Sequence, residues 1–213
     1  HSGTITARSK LGEGTTFTIK LPFDSRKTEG ESIKESDVLE AVSKAQSLLI
    51  EQKSNHEVFE SLLISLLEFT GSEYGFIGEI FYDEKNPKGF LRVGAWTNIA
   101  WNEETRALYE KYKTGGMEFR NLDTLFGEVI TGGKSVISND PSTDPQSGGI
   151  PEGHPPLNAF MGTPIYKDNK LTGMIGIANR SGGYNQQFEE RLQPFVNACA
   201  IIIAAMQRNK KSS

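Results

Sequence analysis

Two pairs of strand-like segments, each pair joined by a short polar link, most strongly limit what this chain can fold into. The first pair covers residues 73–82 and 90–97, and the second covers residues 159–166 and 171–179. Short links rich in Asp, Asn, Lys and Gly join antiparallel neighbours, whereas parallel strands need a long crossover. The sequence therefore predicts an α+β fold with an antiparallel sheet rather than a series of βαβ units.

Two helices are expected before the first strand pair. Asp37 and Glu40 offer an N-cap pair for a helix that runs to about Lys53. A second helix is expected to begin at a capping box formed by Ser54 and Glu57 and to end at Gly71.

Further helices and a short strand are predicted between the two strand pairs, and one more helix after the second pair. Helices are predicted at 102–113 and, after an Asn121 cap, at 122–131, followed by a short strand at 135–138. The last helix is predicted at about 185–208, with Pro194 marking a kink or a restart.

The first and last helices carry apolar stripes with spacings of three and four. This spacing fits either a coiled-coil seam or a face that packs on the protein's own core. The stripes consist of Val38, Val42, Ala45 and Leu49 in the first helix and Phe188, Leu192, Phe195, Cys199, Ile202 and Met206 in the last.

Composition excludes several classes of protein. The chain has 213 residues, a hydrophobic fraction of 36% and a net charge of −4, which favour a folded chain and give no reason to expect a nucleic-acid surface. A single cysteine excludes an intramolecular disulfide framework and a cysteine-rich zinc site. No segment reads as a membrane span or signal peptide, so we expect a cytoplasmic module without membrane contact.

The first 23 residues alternate apolar and polar residues around a Gly12-Glu13-Gly14 turn, which predicts a β-hairpin. They also resemble the last glycine box of the ATP-binding domain of histidine kinases, through Gly3, Ile5, Ser9, Gly12, Gly14, Thr15, Phe17, Leu21 and Pro22. In that family the glycines and the threonine lie beside the nucleotide phosphates.

The phospho-accepting helix and the other nucleotide-binding boxes of such a kinase would have to precede His1, so we expect no catalysis by this chain. The hairpin is either the tail of a kinase domain, covering 1–23, or a coincidental match. A polar linker is expected at 24–36 and a separate domain at 37–211.

That separate domain resembles a GAF domain, the small-molecule sensing module of signalling proteins. One signature includes Gly127, Val129, Gly133, Lys134, Val136 and Asp140, and a second includes Gly173, Gly176, Ile177, Ala178 and Asn179. A third, frequent in bacterial and archaeal sensor kinases, includes Gly153, His154, Pro155, Pro156, Leu157, Phe160, Gly162, Pro164 and Ile165. The resemblance implies a central antiparallel sheet with the first and last helices on one face, often as a homodimer interface, and ligand-enclosing elements on the other.

His154 is the sharpest candidate for a ligand-binding residue. Some gas- or redox-sensing kinases with similar GAF domains use a histidine in this context as the axial ligand of haem. Alternatively, His154 hydrogen-bonds the loop backbone while the neighbouring prolines hold the chain extended.

Other ligands find less support in the sequence. Nucleotide-binding GAF domains carry an N-K…F-x-x-x-D-E signature, but here Asn179-Arg180 is followed by no Asp-Glu pair at the required spacing. A bilin needs a cysteine in the pocket, whereas Cys199 lies on the apolar stripe of the last helix, where a small buried residue is expected. The same position argues against a redox enzyme such as the free methionine sulfoxide reductases.

Several aromatic residues either line a pocket for a flat or apolar ligand or belong to the ordinary core. They are Trp96, Trp101, Tyr109, Phe119 and Phe126. With His154, Asp140 and Phe160, the residues Trp96, Phe119 and Phe126 form the candidate ligand-binding set, and no catalytic or metal-binding constellation is found. The expected function is sensory, with a small molecule or haem shifting the sheet against dimer helices; a ligand-free dimerisation module is the alternative.

Overall fold

The computed structural model describes residues 4–10, 14–20, 33–97, 117–148 and 156–212, with side chains described for 33–97, 117–148 and 156–208. The chain divides into two compact units, His1–Glu31 and Ser32–Ser213. The first unit contains an antiparallel hairpin of β1 (Thr4–Lys10) and β2 (Gly14–Lys20). The hairpin that the alternating pattern predicts is thus present.

The second unit is built on a six-stranded sheet in which all neighbouring strands are antiparallel, in the order β5-β4-β3-β8-β7-β6. This confirms the antiparallel α+β fold. The strands are β3 (Tyr74–Asp83), β4 (Asn86–Trp96), β5 (Met117–Phe119), β6 (Val136–Ser138), β7 (Phe160–Lys167) and β8 (Lys170–Ala178).

Four helices complete the described part of this unit. They are α1 (Glu35–Ile50), α2 (Asn55–Thr70), α3 (Leu125–Gly132) and α4 (Gln186–Ser212). The helices α2 and α4 pack directly on one face of the sheet, and α1 packs across α2 and α4. The helix α3 packs on the opposite face. The first and last helices therefore lie on the same side of the sheet, as the resemblance implies.

The apolar stripes of the first and last helices are core faces. Val38 and Ala45 of α1 and Phe195 and Cys199 of α4 are buried in one hydrophobic cluster together with Ile177 of the sheet. A coiled-coil seam between two copies is therefore wrong for these stripes, because the same side chains are already covered within the protomer. Sequence spacing does not separate the two cases, since both place apolar residues on one side of a helix.

Local signals place the helix boundaries with mixed success. The Ser54–Glu57 capping box is present, and α2 ends at Gly71 with a φ of 64°, as predicted. The predicted Asp37 cap is wrong, because α1 already begins at Glu35 after Lys34, which makes no side-chain cap.

Two further boundaries differ from the sequence-based prediction. The side-chain oxygen of Asn121 accepts from the amide of Asp123, so Thr124 caps α3 instead, by accepting from the amide of Gly127. The strand predicted from residue 90 already starts at Asn86, because the Asp83 carboxylate accepts from the Asn86 amide and closes a tight turn.

The last helix continues through Pro194, which lies on its exposed side.

Candidate functional site

The sheet face that carries α3 is lined by apolar side chains, several of them only half-buried. We call the half-buried set the aromatic face; it consists of Phe76, Trp96, Phe119, Leu122, Phe126 and Val136. These side chains pack against a buried cluster that includes Leu91, Val93, Val129 and Met174. The structure therefore brings Trp96, Phe119 and Phe126 of the candidate ligand-binding set onto one surface.

The position of Phe126 follows from the local chemistry of α3. Thr124 caps the helix by accepting from the Gly127 amide at 3.1 Å, and Gly133 ends it with a φ of 64°. A side chain at φ near 60° is strained, so glycine suits this end. The short helix that results holds the Phe126 ring edge-on to Phe119, with 5.6 Å between the ring centroids.

Two glycines opposite each other in the sheet create space beneath the aromatic face. Gly162 of β7 pairs with Gly176 of β8. A Cβ at Gly176 would overlap the ring of Phe76, and a Cβ at Gly162 would lie 2.7 Å from Cγ2 of Val129 and 3.0 Å from the Phe160 ring. The depressions are thus occupied by the protein's own side chains, and Phe160 packs there as a buried residue.

Asp140 lies apart from the aromatic face, on an exposed turn after β6. Its carboxylate accepts a 2.6 Å hydrogen bond from the Ser142 hydroxyl, and the Ser142 and Thr143 hydroxyls lower the pKa of Asp140. In the described structure this carboxylate stabilises the turn.

The remaining predicted site residues either lie outside the described residues or belong to the hairpin of the first unit. His154 and Gly12 lie outside the described residues, as do Trp101, Tyr109 and the helix predicted at 102–113. Gly14 and Thr15 begin β2, where they pair with Lys10 and Ser9.

Sequence reasoning missed a cleft where β3 begins and β8 ends. It has a volume of about 540 Å³ and is lined by Glu73, Asn139, Asn158, Ala159, Asn179, Arg180, Ser181, Gly182 and Gly183. The lining includes the Asn179-Arg180 pair, which resembles part of the signature of nucleotide-binding GAF domains. A signal for the cleft existed in the Arg180-Ser-Gly-Gly183 run, but its partners are distant along the chain.

Asn179 connects the end of β8 to the chain that enters β7. Its backbone has a φ of 60°, which asparagine tolerates better than most residues. Its side-chain amide donates to the Pro156 carbonyl at 2.9 Å and to Glu73 at 3.1 Å, and its side-chain oxygen accepts from the amide of Asn158 at 2.8 Å. Asn179 thus fixes the stretch that immediately follows the undescribed residues 149–155.

Arg180 is held in one orientation by its neighbours. Its guanidinium lies 4.7 Å from the centroid of the Phe188 ring, and Nη1 donates to the carbonyls of Ser181 and Gly183 at 3.2 and 3.0 Å. The cation–π contact and the hydrogen bonds together restrict a side chain that otherwise has many rotamers.

A buried hydrogen-bond network lies next to Arg180. The Tyr184 hydroxyl lies 2.8 Å from that of Ser72, which also accepts from the Thr70 hydroxyl. Burial raises the pKa of Tyr184 to about 12, so its hydroxyl remains protonated at neutral pH. This network stabilises the fold and supplies no acid or base near pH 7.

Cys199 is not a reactive thiolate in this structure. Cys199 is fully buried, and burial raises the pKa of its thiol, which keeps it protonated. Among the described residues, no group of three or more His, Cys, Asp or Glu side chains is placed to hold a metal ion.

Comparison with known proteins defines the family. The GAF domain model matches residues 52–204, so the chain belongs to the GAF family, a family of regulatory, sensory domains. No curated protein sequence matches the chain significantly. No helix in the described part of the chain is long and apolar enough to cross a bilayer.

Solved structures share the fold at low sequence identity. The GAF domain of a phosphoenolpyruvate-protein phosphotransferase from Coxiella burnetii is 16% identical, with a TM-score of 0.63, over 83% of this chain and 98% of that one. Residues 122 to 287 of a methyl-accepting chemotaxis protein are 16% identical (TM-score 0.58; 80% and 98% covered). A free methionine-R-sulfoxide reductase from Neisseria meningitidis, in complex with its substrate, is 10% identical (TM-score 0.55; 83% and 95% covered). These likenesses show the fold alone.

Proposed function

We propose that this GAF domain is the sensory module of a two-component histidine kinase, and that it binds a small molecule on the aromatic face. The observation that carries the ligand proposal is the group of half-buried aromatic side chains over the sheet, contributed by Phe76, Trp96, Phe119 and Phe126. Aromatic rings that are neither fully packed nor fully exposed offer contact area to a flat or apolar ligand.

The kinase assignment rests on the order of segments in the chain. A hairpin with the G-x-G-T sequence Gly12–Thr15 precedes the GAF domain in the same polypeptide. The test is to sequence the reading frame upstream of His1. We expect it to encode a phospho-accepting histidine followed by the asparagine and aspartate boxes of a kinase; a frame without them would leave the hairpin a coincidental match.

The proposed output runs through α1 and α4 to a second copy of the chain. Because the inner stripes of these helices are buried, a dimer has to use their outward sides, where Leu39, Ile50 and Ile201 are 68%, 81% and 60% exposed. A ligand shifts such a switch only if it binds one arrangement more tightly, typically by about 1–3 kcal/mol.

Light scattering after size-exclusion chromatography tests this surface. We expect a dimer that Ile50→Lys and Ile201→Lys each weaken. Ile64→Lys is the matched control, because Ile64 is also exposed but lies on α2. Dimers that all three variants leave unchanged would contradict a helix-mediated interface.

Tryptophan fluorescence tests ligand binding on the aromatic face. The chain has two tryptophans, so Trp101→Phe leaves Trp96 as the only one. Titration with a panel of flat metabolites should shift the Trp96 emission for a binding compound, and Phe126→Leu should weaken that response. Phe69→Leu on the helix side of the sheet, where Phe69 contacts Phe195, should leave it unchanged.

A ligand-free dimerisation module is the second candidate, favoured by a specific observation. Phe76 and Val129 already fill the space above Gly176 and Gly162. This candidate predicts that no metabolite shifts the Trp96 emission and that native mass spectrometry of the purified chain shows only the polypeptide mass.

Haem ligation by His154 is a further option for the same sensory role, resting on the sequence alone. Protein expressed with a haem precursor should then show a Soret band that is lost in His154→Ala. Colourless protein under these conditions would leave His154 with the loop-stabilising role.

A further inference from the structure

The cleft at the ends of β3 and β8 has the volume and the charge pattern of a binding site separate from the aromatic face. Its volume of about 540 Å³ lies within the common range for ligand pockets, about 300–1,000 Å³. Its described lining is polar, with Ala159 as the single residue that carries an apolar side chain. Such a lining selects a small polar ligand over an apolar one.

Arg180 provides a positioned cation in this cleft. Its Nη1 donates to two carbonyls of the Ser181–Gly183 turn, and its guanidinium carbon lies over the Phe188 ring. Among the described residues it makes no ion pair, and Nε and Nη2 make no hydrogen bond. These two nitrogens form the edge of a guanidinium that binds a carboxylate through two parallel hydrogen bonds.

Glu73 provides an anion in the same lining. Its side chain is exposed, and its Oε2 accepts one hydrogen bond from the Asn179 amide, so acceptor capacity remains. Glu73 makes no ion pair with any described residue. The cleft therefore presents one positive and one negative group, each without a charged partner in the described structure.

We propose that this cleft binds a small molecule that carries both a carboxylate and an ammonium group, the class that includes free α-amino acids. Arg180 takes the carboxylate through Nε and Nη2, and Glu73 takes the ammonium. Asn179 donates to Glu73 and also forms hydrogen bonds with Pro156 and Asn158. A ligand that binds Glu73 therefore affects a residue that positions the chain at 156–158. The proposal is independent of a ligand on the aromatic face.

Calorimetric titration of the whole chain with each standard L-amino acid tests the proposal. For any amino acid that binds, two analogues serve as probes: the amine without its carboxylate and the carboxylic acid without its ammonium. We expect saturable binding of the amino acid, and at least tenfold weaker binding of each analogue. If none of the amino acids binds saturably, the proposal is overturned.

Two variants and a control separate the roles of the charges. Glu73→Gln keeps an oxygen that accepts from Asn179 but removes the negative charge. It should therefore weaken binding of the amino acid at least tenfold and strengthen binding of the carboxylic acid analogue. Arg180→Gln should weaken the binding of both the amino acid and the carboxylic acid analogue. Arg191→Gln removes an exposed arginine from α4 and should change neither affinity.

Inorganic phosphate is the remaining probe. Phosphate that binds more tightly than every amino acid, and that binds still more tightly in Glu73→Gln, would show a simple anion site and overturn the zwitterion assignment. Because Glu73 is exposed and its replacement is nearly isosteric, the comparison of the original chain with Glu73→Gln decides the question even if Arg180→Gln fails to fold.

Discussion

Gln207 donates from its side-chain nitrogen to Oε2 of Glu79 at 2.9 Å, which connects the last described turns of α4 to the middle of the sheet. Glu79 is only 5% exposed, although it is ionisable. A buried carboxylate is retained only where hydrogen bonds replace its hydration. The bond therefore holds α4, the helix that we propose as an output element, to the sheet at Gln207.

Gln207→Ala should destabilise the domain by about 1–3 kcal/mol, because it removes one partner of a buried carboxylate. The measurement is urea-induced unfolding. Gln186→Ala is the matched control: Gln186 also donates to a glutamate, Glu190, on the same helix, but this pair is exposed and should contribute little. Equal losses in the two variants would show that burial of Glu79 does not matter.

Gly176→Ala should destabilise the domain by about 1–3 kcal/mol, as overpacking of a core does. The added methyl group would overlap the Phe76 ring, which has to move. Gly132→Ala is the control, since no atom lies within 4 Å of a Cβ there, and alanine in a helix is about 0.5–1 kcal/mol more favourable than glycine.

A second substitution identifies the contact responsible. Phe76→Leu combined with Gly176→Ala should recover part of the lost unfolding free energy, because the smaller side chain leaves room for the methyl group. Strictly additive losses in the double variant would exclude the Phe76–Gly176 contact as the cause.

How far the sequence predicts this structure depends on how local the deciding interaction is. The Ser54–Glu57 capping box is predicted correctly because both of its partners lie within one helical turn. The stripe through Val38 and Ala45 identifies a buried face but not what covers it, since packing partners are distant in sequence. The Asn121 cap is wrong because Thr124, three residues later, can also cap a helix, and it does so here although asparagine is the more common capping residue.

The candidate sites show the same limit more strongly. The sequence predicts the aromatic residues on the α3 side one by one, but the inclusion of Phe76 depends on the register that places it across from Gly176. The sequence does not predict the cleft at Arg180, because its shape depends on the hydrogen bonds of Asn179 with residues 156 and 158, more than 20 positions earlier.

Asp83 should make stability depend on pH in the acidic range. Hydrogen bonds from Arg120 and Asn86 lower the pKa of Asp83 to about 2, from about 3.9 in an unfolded chain. A carboxylate with a lowered folded pKa stabilises the fold above its unfolded pKa, and this contribution is lost as pH falls from about 4 to about 2.

Asp83→Asn should therefore be less stable than the original chain above pH ~4, and the difference should shrink toward pH ~2. Denaturant unfolding at a series of pH values measures it. Since both partners of the Asp83–Arg120 pair are partly exposed, added salt should also reduce the difference. A gap that stays constant with pH would show that the loss does not come from the ionised Asp83 carboxylate.

Asn139 should be required for the junction between β6 and α4. Its side-chain amide imitates a strand partner: Nδ2 donates to the Tyr184 carbonyl and Oδ1 accepts from the Tyr184 amide, both at 2.9 Å. Gly183 permits this approach, since a Cβ there would overlap Oδ1 of Asn139. The pairing holds Tyr184 where its hydroxyl meets Ser72.

Asn139→Asp is nearly isosteric and keeps the acceptor but replaces the donor with an oxygen that faces the Tyr184 carbonyl. We expect a loss of about 1–3 kcal/mol at neutral pH, because two acceptors then oppose each other. Acidification should recover part of this loss, since a protonated carboxyl group donates again. Asn158→Asp is the control, because Asn158 takes part in the described hydrogen bonds through its backbone amide only. A loss that is the same at pH ~4 and pH ~7 would contradict the amide-pairing role of Asn139.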